Sequence, residues 1–346
     1  MGISLDELQL AARNHGMPLE ALRYDVTPVG LHYLLVHFDV PPMPDGWRLE
    51  VGGLVERPLS LSLDDLRARP AAHRTVTMEC AGNGRARFEP HVVSQPWLAE
   101  AIGTGEWGGV LLRSLLEDAR LRDGAVEVLF TGFDRGIDGG VEQAYERSLT
   151  LVDALGDDVL LAHELNGQPL PPQHGFPLRL VVPGWYGMTS VKWLERITVL
   201  DRPFEGYQQA QAYRFRRHED DEGDPITLMR PRALMVPPGV PDFMTRRRFV
   251  APGPCVLEGR AWSGRAPIAL AEVGVDGTWA PAKLEPARER WAWSRWSFLW
   301  DATDGDHELT CRARDESGDE QPLEPEWNVG GYANNAVQRV PVTVRP

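Results

Sequence analysis

The residues best suited to chemistry lie in one short stretch, Thr75 to Arg85, which reads Thr-Val-Thr-Met-Glu-Cys-Ala-Gly-Asn-Gly-Arg. Its β-branched start predicts a strand that ends near Cys80, and the glycines beyond it let the backbone approach a bulky ligand closely. Arg85 adds a cation near the thiol, so the stretch could present a thiolate to a large anionic group. On local chemistry alone an alternative stays open, because a free cysteine is most often a small buried hydrophobic residue.

A second group of polar side chains lies in an apolar stretch punctuated by glycine and proline, and it consists of His174, Arg179, Ser190 and Lys192. Such donors can hold a phosphate, since arginine binds it in bidentate fashion and lysine acts as a point charge. Hydroxyl and backbone N–H groups can add further hydrogen bonds. A surface salt bridge is the default role of any one cation, but their concentration here favours an anion-binding site.

Together the two segments resemble the sulfite oxidase family, in which a Cys-Ala-Gly-Asn-(Arg/Gly)-Arg motif supplies the protein sulfur of a molybdenum–molybdopterin centre. Here that motif is Cys80 to Arg85. The ordered match continues from Leu160 through His174 to Leu194, a length that makes a chance match improbable. The resemblance implies a molybdenum- and molybdopterin-dependent oxidoreductase in which Cys80 is the metal ligand.

The same resemblance implies roles for individual residues. The cofactor-binding set would be His37, Cys80, His174, Arg179, Ser190 and Lys192, and the catalytic set Cys80, Tyr213, Arg85 and Trp97. From the residues alone, other roles remain open: His37 could be a structural histidine, and the two aromatic residues could belong to the core.

Two positions depart from the family pattern, since Leu35 and Gly330 stand where that pattern carries substrate-binding arginines. Sulfite oxidation to sulfate is the family's default reaction. Because a small dianion needs several cations, the alternatives are reduction of S- or N-oxides and oxidation of another sulfur compound. Arg87 or Arg135 could also compensate by reaching into the pocket.

The composition indicates a globular protein of about two domains, with 346 residues and a formal net charge of −14. We predict an α+β chain with a mixed α/β molybdopterin-binding domain at 1–228 and an all-β immunoglobulin-like sandwich at 229–346. The second prediction rests on proline-rich linkers and short strands with turn signals after Ile226. It rests also on a resemblance of Gly259–Gly264 and Glu326–Asn335 to the family's dimerisation domain, which implies a homodimer.

Charge and cysteine content limit the partners. The negative net charge argues against nucleic acid and anionic membranes, and no apolar run approaches the ~20 residues that span a bilayer. Cys80, Cys255 and Cys311 are too far apart for a disulfide framework, a CxxC zinc site or a CxxCH haem attachment. We therefore expect a cytoplasmic enzyme with no haem in this chain, a small-molecule substrate and an external electron carrier such as a cytochrome.

Three local predictions bear on the site. Residues 1–20 are predicted to contain a short amphipathic helix around Leu5 and Leu8, with no signal peptide. A helix should follow the capping residue Ser62. Asp134 to Gly140 is predicted to be a turn-rich loop, and its aspartates lack the spacing of a calcium site.

Overall fold

The computed structural model describes residues 2–346, so Met1 lies outside the described residues. Strands dominate and the helices are short. The α-helices are α1 (Leu5–Arg13), α2 (Leu63–Arg67), α3 (Leu112–Ala119) and α4 (Leu151–Ala154). The 3-10 turns are Leu19–Arg23, Val29–Leu31, Arg85–Arg87, Pro172–His174 and Gly187–Thr189, and Gln208–Ala212 is a π-helical turn.

The strands of the first half are β1 (Leu49–Gly53), β2 (Leu59–Leu61), β3 (Ala72–Glu79), β4 (Ile102–Leu111), β5 (Glu127–Asp138), β6 (Val141–Thr150), β7 (Leu160–Leu165), β8 (Gln168–Pro169), β9 (Arg179–Val181), β10 (Leu194–Leu200), β11 (Arg214–Phe215) and β12 (Asp224–Pro225). Those of the second half are β13 (Arg232–Met235), β14 (Val240–Pro241), β15 (Arg248–Val250), β16 (Gly253–Trp262), β17 (Ile268–Val275), β18 (Thr278–Pro281), β19 (Lys283–Leu284), β20 (Ser294–Ala302), β21 (Gly305–Asp315) and β22 (Gln338–Val344).

Two five-stranded sheets and the short pair β11-β12 form the first half of the chain. One has the order β2-β1-β10-β5-β6, and the other has the order β3-β4-β7-β8 with β9 also paired to β7. The strand β1 runs parallel to β10, a pairing that needs a long crossover connection. The apolar face of α3, with Leu112, Leu115 and Leu116 fully buried, packs into the main core. This arrangement confirms the predicted mixed α/β unit.

The second half is the predicted β-sandwich, with sheets β13-β16-β20-β19 and β14-β15-β22-β21-β17-β18. Its core contains Trp296, Val273 and Leu309. The boundary at 228/229 stays a prediction. Trp262 and Trp293, from the second half, are buried in the main core of the first half, so the two halves share one hydrophobic cluster.

Of two local predictions near the site, the helix cap at Ser62 is confirmed and the loop at Asp134 to Gly140 is wrong. Ser62 caps α2 as expected, through a reciprocal pair of hydrogen bonds with Asp65. The loop predicted at Asp134 to Gly140 is wrong, because β5 continues to Asp138 by pairing with β6. Only Gly139 and Gly140, with φ of +57° and +79°, form the turn.

The N-terminal helix α1 is present, but its apolar residues do not face the core. Leu5 and Leu8 are 71% and 54% exposed, whereas Glu7 is buried. Glu7 accepts hydrogen bonds from Ser4 at the helix cap, and its Oε1 lies 2.8 Å from Nε2 of His91. This polar contact with His91 therefore holds the helix against the rest of the chain. Among residues 2–346, no helix is both long and apolar enough to cross a membrane.

The buried carboxylate of Glu79 joins the two halves of the chain directly before Cys80. Its Oε1 accepts hydrogen bonds from Arg232 Nη1 at 2.6 Å and Asn83 Nδ2 at 3.0 Å, and its Oε2 accepts one from Trp262 Nε1 at 2.9 Å. Glu79 and Arg232 are only 1% and 3% exposed. A buried charge is tolerated only where such partners satisfy it, so the sandwich helps to fix the end of β3.

We expect Arg232→Met to lower the free energy of unfolding by about 3–5 kcal/mol, because it leaves the Glu79 carboxylate buried without its charged partner. Urea denaturation followed by tryptophan fluorescence measures this loss. The control is Arg265→Gln, which breaks an exposed pair with Asp319 and should cost less than about 1 kcal/mol. Similar small losses in both variants would contradict a structural role for the buried pair.

Candidate active site

Cys80 lies where β3 ends and the glycine-containing loop begins. Its backbone N–H donates to the carbonyl oxygen of Ala101 at 2.9 Å, and its own carbonyl accepts from the N–H of Asn83 at 3.0 Å. The thiol is buried, which raises its pKa, while the positive charge of Arg85 acts in the opposite direction. The side chain lines two cavities, which we call the inner and the outer cavity.

The inner cavity encloses about 650 Å³, including space open to solvent. Much of its polar lining comes from His174, Arg179, Ser190 and Lys192, and the segment 32–37 adds further residues. The lining includes His32, Tyr33, Leu35, His37, Cys80, Asp134, Tyr145, His174, Arg179, Ser190, Lys192 and Tyr213. All the predicted cofactor-binding residues therefore meet at one cavity.

Arg179 is held at this cavity by neutral groups. Its Nη1 donates to the carbonyl oxygen of His174 and its Nη2 to that of Ser190, both at 3.1 Å. Its guanidinium carbon lies 4.7 Å from the centroid of the Trp107 ring. Burial lowers the pKa of Arg179 to about 10, so the side chain is still a cation at neutral pH.

Lys192 is a second buried cation held by carbonyl groups. Its Nζ donates to the carbonyl oxygens of Leu35 at 2.8 Å and Gln173 at 3.2 Å. Burial, and then the charge of Arg179, lowers the pKa of Lys192 to about 7, although Asp134 opposes this shift. Burial raises the pKa of Asp134 to about 6, and its Oδ1 has no hydrogen-bond partner among residues 2–346.

Two histidines complete the inner cavity without adding charge. His174 and His32 lie edge to face, with their ring centroids 5.7 Å apart. Burial lowers the pKa of His32 to about 4 and that of His174 still further, with the neighbouring cations adding to the second shift. Both rings are therefore neutral at pH 7. The Ser190 hydroxyl accepts the Val182 N–H at 3.2 Å, and its proton remains available to a ligand.

These contacts fit a large, anionic ligand in the inner cavity. Within residues 2–346, neither Arg179 nor Lys192 forms an ion pair with a carboxylate, although burying an unbalanced cation is costly. A phosphate would balance both charges, and Asp134 and the neutral histidines could bind the polar edges of a pterin. Among residues 2–346, no group of three or more His, Cys, Asp or Glu side chains is placed to hold a metal ion.

The outer cavity encloses about 1190 Å³, again including open solvent, and it contains the predicted catalytic residues Arg85 and Trp97. Arg85 is buried and donates from Nε to the carbonyl oxygen of Gly330 at 3.1 Å. Its guanidinium lies over the Tyr332 ring, 4.8 Å from the centroid. The indole N–H of the buried Trp97 has no geometrically acceptable hydrogen-bond acceptor among residues 2–346.

Tyr213 and His37 line both cavities. Burial, followed by the neighbouring Tyr145 and Tyr332, raises the pKa of Tyr213 well above its usual value, so the phenol stays protonated and can donate a hydrogen bond. His37 Nε2 lies 3.0 Å from Asp138 Oδ2. Asp138 is the last residue of β5, in the segment that the sequence predicted to be a loop.

The structure thus brings all the predicted site residues to the two cavities that meet at Cys80. It does not bring the proposed substitutes for the missing arginines. Arg135 pairs with Glu195 at the surface, and Arg87 lines a separate cavity. Three residues that line the cavities were not predicted from the sequence, namely Asp134, Tyr332 and Arg216. Of these, only Asp134 lay in a segment that was considered as a possible calcium site.

Comparison with known proteins shows similarity over nearly the whole chain. The oxidoreductase molybdopterin binding domain matches residues 37–208, and the Mo-co oxidoreductase dimerisation domain matches residues 238–345. Mitochondrial sulfite oxidase of Rattus norvegicus is 37% identical over 344 residues, which cover 93% of this chain and 62% of the rat protein. Sulfite oxidase of Gallus gallus is also 37% identical, covering 91% of this chain and 72% of its own length.

Other relatives carry out different reactions. Nitrate reductase [NADH] of Lotus japonicus is 33% identical over 96% of this chain but 40% of its own length. The crystal structure of the sulfane dehydrogenase SoxCD from Paracoccus pantotrophus superposes with a TM-score of 0.81 at 27% identity, covering 96% of this chain and 86% of that one. The chain spans less than two thirds of the length of several relatives, such as the rat and Lotus japonicus proteins. The names of these relatives refer to different substrates, namely sulfite, nitrate and sulfane.

We expect Lys192→Met to stabilise the cofactor-free protein while reducing its retention of cofactor. The pKa of Lys192 is about 7 in the folded state against an ordinary 10.5, so the unfolded state binds more protons between these values. Wild-type stability should therefore rise with pH across this window, and the advantage of Lys192→Met should be greatest near pH 7 and shrink towards pH 10.

Urea denaturation of protein from a host that lacks the cofactor measures the first effect, and molybdenum content after expression in a competent host measures the second. Lys283→Met, which alters the only other lysine of the chain at an exposed strand position, is the matched control. Unchanged molybdenum content in Lys192→Met would refute a role in cofactor binding.

Proposed function

Because this chain belongs to the sulfite oxidase family of molybdopterin-dependent oxidoreductases, we propose that it transfers an oxygen atom from water to a sulfur compound. Sulfite is the reference substrate, and a separate carrier such as a cytochrome accepts the electrons. The chain is an oxidoreductase whose cofactor is molybdenum bound to molybdopterin. The substrate, the acceptor and the roles of individual residues are part of the proposal.

The observation that carries the proposal is the position of Cys80 between two cavities of different character. The inner cavity has buried cations without carboxylate partners, as a phosphate-bearing cofactor requires. The outer cavity has a buried arginine and hydrogen-bond donors, as a substrate oxyanion requires. A thiolate at this junction can bind a soft metal that belongs to the cofactor and faces the substrate.

Five residues would hold the cofactor from the inner side, namely His37, His174, Arg179, Ser190 and Lys192. The two cations would bind its phosphate, and the Ser190 hydroxyl would donate a further hydrogen bond. When bound, the molybdenum cofactor supplies two-electron redox chemistry coupled to oxygen-atom transfer. Cys80 provides the one protein ligand to the metal.

Three residues would act on the outer side. Arg85 binds the negative charge of the substrate beside Cys80, because its guanidinium is fixed by the Gly330 carbonyl and the Tyr332 ring. Tyr213 donates a hydrogen bond from its protonated phenol to an oxygen of the substrate. Trp97 is buried next to the Cys80 thiol, and its indole N–H can donate a hydrogen bond to a ligand there.

Reduction of S- or N-oxides is the second candidate. Leu35 and Gly330 leave the outer cavity with less positive charge than a small dianion needs, which suits a neutral oxide. Turnover distinguishes the two: reduction of sulfoxides by a viologen donor, without any sulfite- or sulfinate-dependent reduction of ferricyanide or a cytochrome, would favour the reductase.

We also propose a homodimer formed through residues 238–345, which the match to a dimerisation domain supports. The domain boundary at 228/229 belongs to the same proposal. A cytoplasmic location is compatible with the three cysteines, all of which are free thiols in the structure.

We expect Leu35→Arg to raise sulfite-dependent kcat/KM, because the new cation would stand at the border of both cavities. The hydrogen bond from Lys192 to residue 35 uses the backbone carbonyl oxygen, so the substitution keeps it. One added charge-assisted hydrogen bond contributes about 1.5–3 kcal/mol, or about 10- to 150-fold. Steady-state reduction of ferricyanide by sulfite measures it.

Val152→Arg adds the same charge at an exposed position and should leave the rate unchanged. If the wild-type enzyme oxidises sulfite poorly and Leu35→Arg brings no gain, sulfite is not the substrate for which this cavity is built.

A further inference from the structure

The outer cavity is much larger than a four-atom anion such as sulfite. It spans about 1190 Å³, a figure that includes space open to solvent, so it has room for a larger, organic anion. Leu35 places an apolar side chain in its lining, and at Gly330 the ring of Tyr332 takes the place that a side chain would occupy. A substrate with an organic substituent could fill this space, whereas bare sulfite could not.

Arg85 is the cation fixed next to Cys80. The hydrogen bond to Gly330 and the ring of Tyr332 hold the guanidinium in place, and a Cβ atom on Gly82 would come within 2.7 Å of its Nη1. The arginine therefore lies tightly over the backbone between Cys80 and Asn83. One fixed guanidinium matches a reacting group that carries one negative charge.

A second cation, Arg216, lines the same cavity away from the inner one. Its backbone carbonyl accepts the Val329 N–H at 2.9 Å, next to Gly330, and its side-chain stem packs over Gly223, where a Cβ atom would lie 2.6 Å from its Cγ. The side chain is half-buried, and within residues 2–346 its guanidinium forms no hydrogen bond or ion pair.

The two neighbouring arginines differ from Arg216 in this respect. Arg214 donates to the carbonyl oxygens of Glu222 and Gly223. Arg217 pairs with Asp224 at 3.2 Å and with Glu326 at 3.6 Å. Neither lines the outer cavity, so of the three only Arg216 combines a free guanidinium with access to the site.

The carboxylate that lines the outer cavity, that of Asp138, is already paired. Asp138 Oδ2 lies 3.0 Å from His37 Nε2 and accepts a hydrogen bond from Gln208 Nε2 at 2.9 Å. Arg216 is therefore the cation of this lining that has no hydrogen bond or ion pair among residues 2–346, and it would attract an anion.

Resting on the proposed function, we propose that the substrate is an organic sulfinate, R–SO2⁻, whose substituent R carries a second negative charge that Arg216 binds. The sulfinate group has one negative charge for Arg85 and a lone pair on sulfur. The substituent replaces one oxygen of sulfite and lies along the apolar lining formed by Leu35 and the Tyr332 ring. Arg216 is then the residue that selects the far end of the substrate.

The reaction balances as oxidation of the sulfinate to a sulfonate: R–SO2⁻ + H2O gives R–SO3⁻ + 2 H⁺ + 2 e⁻. A new S–O bond forms with the oxygen of water, whose two O–H bonds break. The protons pass to solvent, and the electrons reach the separate one-electron acceptor in two steps. Ferricyanide serves as that acceptor in the assay.

The test compares sulfinates that differ only at the far end, namely sulfinopropanoate, sulfinobutanoate and sulfinopentanoate against their terminal carboxamides. We expect wild-type enzyme to prefer the carboxylate of at least one chain length by about tenfold in kcat/KM, as one charge-assisted contact provides. Arg216→Gln should remove this preference by raising KM for the carboxylate alone, with kcat and the carboxamide unchanged. Arg85→Gln should impair both substrates.

Arg217→Gln is the matched control, because it neutralises the adjacent arginine outside the cavity and should keep the preference. Molybdenum content and thermal unfolding midpoints equal to those of the wild type exclude a folding defect. Calorimetric titration of the resting holoenzyme with the product sulfopropanoate and its longer homologues, and with their carboxamides, gives a readout independent of turnover. Tighter binding of the carboxylates, lost in Arg216→Gln, is the expected result.

Two failures are distinguishable. If sulfinates are oxidised but carboxylate and carboxamide are equivalent, or if Arg216→Gln affects both alike, the role of Arg216 is refuted and the proposed function stands. If neither sulfite nor any sulfinate is oxidised by molybdenum-loaded enzyme, the proposed function fails, and this substrate assignment fails with it.

Discussion

The buried carboxylate of Glu79 is the interaction on which the site depends. It precedes Cys80 directly and is bound by Arg232 and Trp262 from the sandwich and by Asn83 from the loop that follows the cysteine. Because an unpaired buried carboxylate is strongly destabilising, these partners must assemble together. The position of the thiol is therefore determined by both halves of the chain, which also share a hydrophobic cluster around Trp262 and Trp293.

The charges around Cys80 divide the site into two environments. On the inner side, Arg179 and Lys192 are buried against carbonyl groups and lack carboxylate partners among the described residues, so the protein carries an uncompensated positive charge until an anion binds. On the outer side, Arg85 is rigid and Arg216 is free. The first environment suits the phosphate of the cofactor, and the second is the basis of our proposal that the substrate is an anion extended between two cations.

The sequence was sufficient for features that depend on local signals or on an ordered motif. The cap at Ser62, the strand ending before Cys80 and the convergence of His174, Arg179 and Lys192 are of this kind. Long-range contacts could not be predicted. The partners of Glu79 lie 153 and 183 positions away in the chain, and the burial of Glu7 depends on His91, 84 positions away. Arg216 was missed because three arginines in four residues look like a solvated surface, and only the fold shows which one faces the cavity.

Cys80 is the residue that we propose as the protein ligand of a molybdenum centre, at the junction of the two cavities. X-ray absorption spectroscopy at the molybdenum edge tests it most directly, with wild-type enzyme compared with Cys80→Ser at equal folding, judged by circular dichroism. We expect one sulfur neighbour fewer around molybdenum in Cys80→Ser, with the cofactor still held by the inner cavity and turnover lost. An unchanged number of sulfur neighbours, or retained turnover, would contradict it.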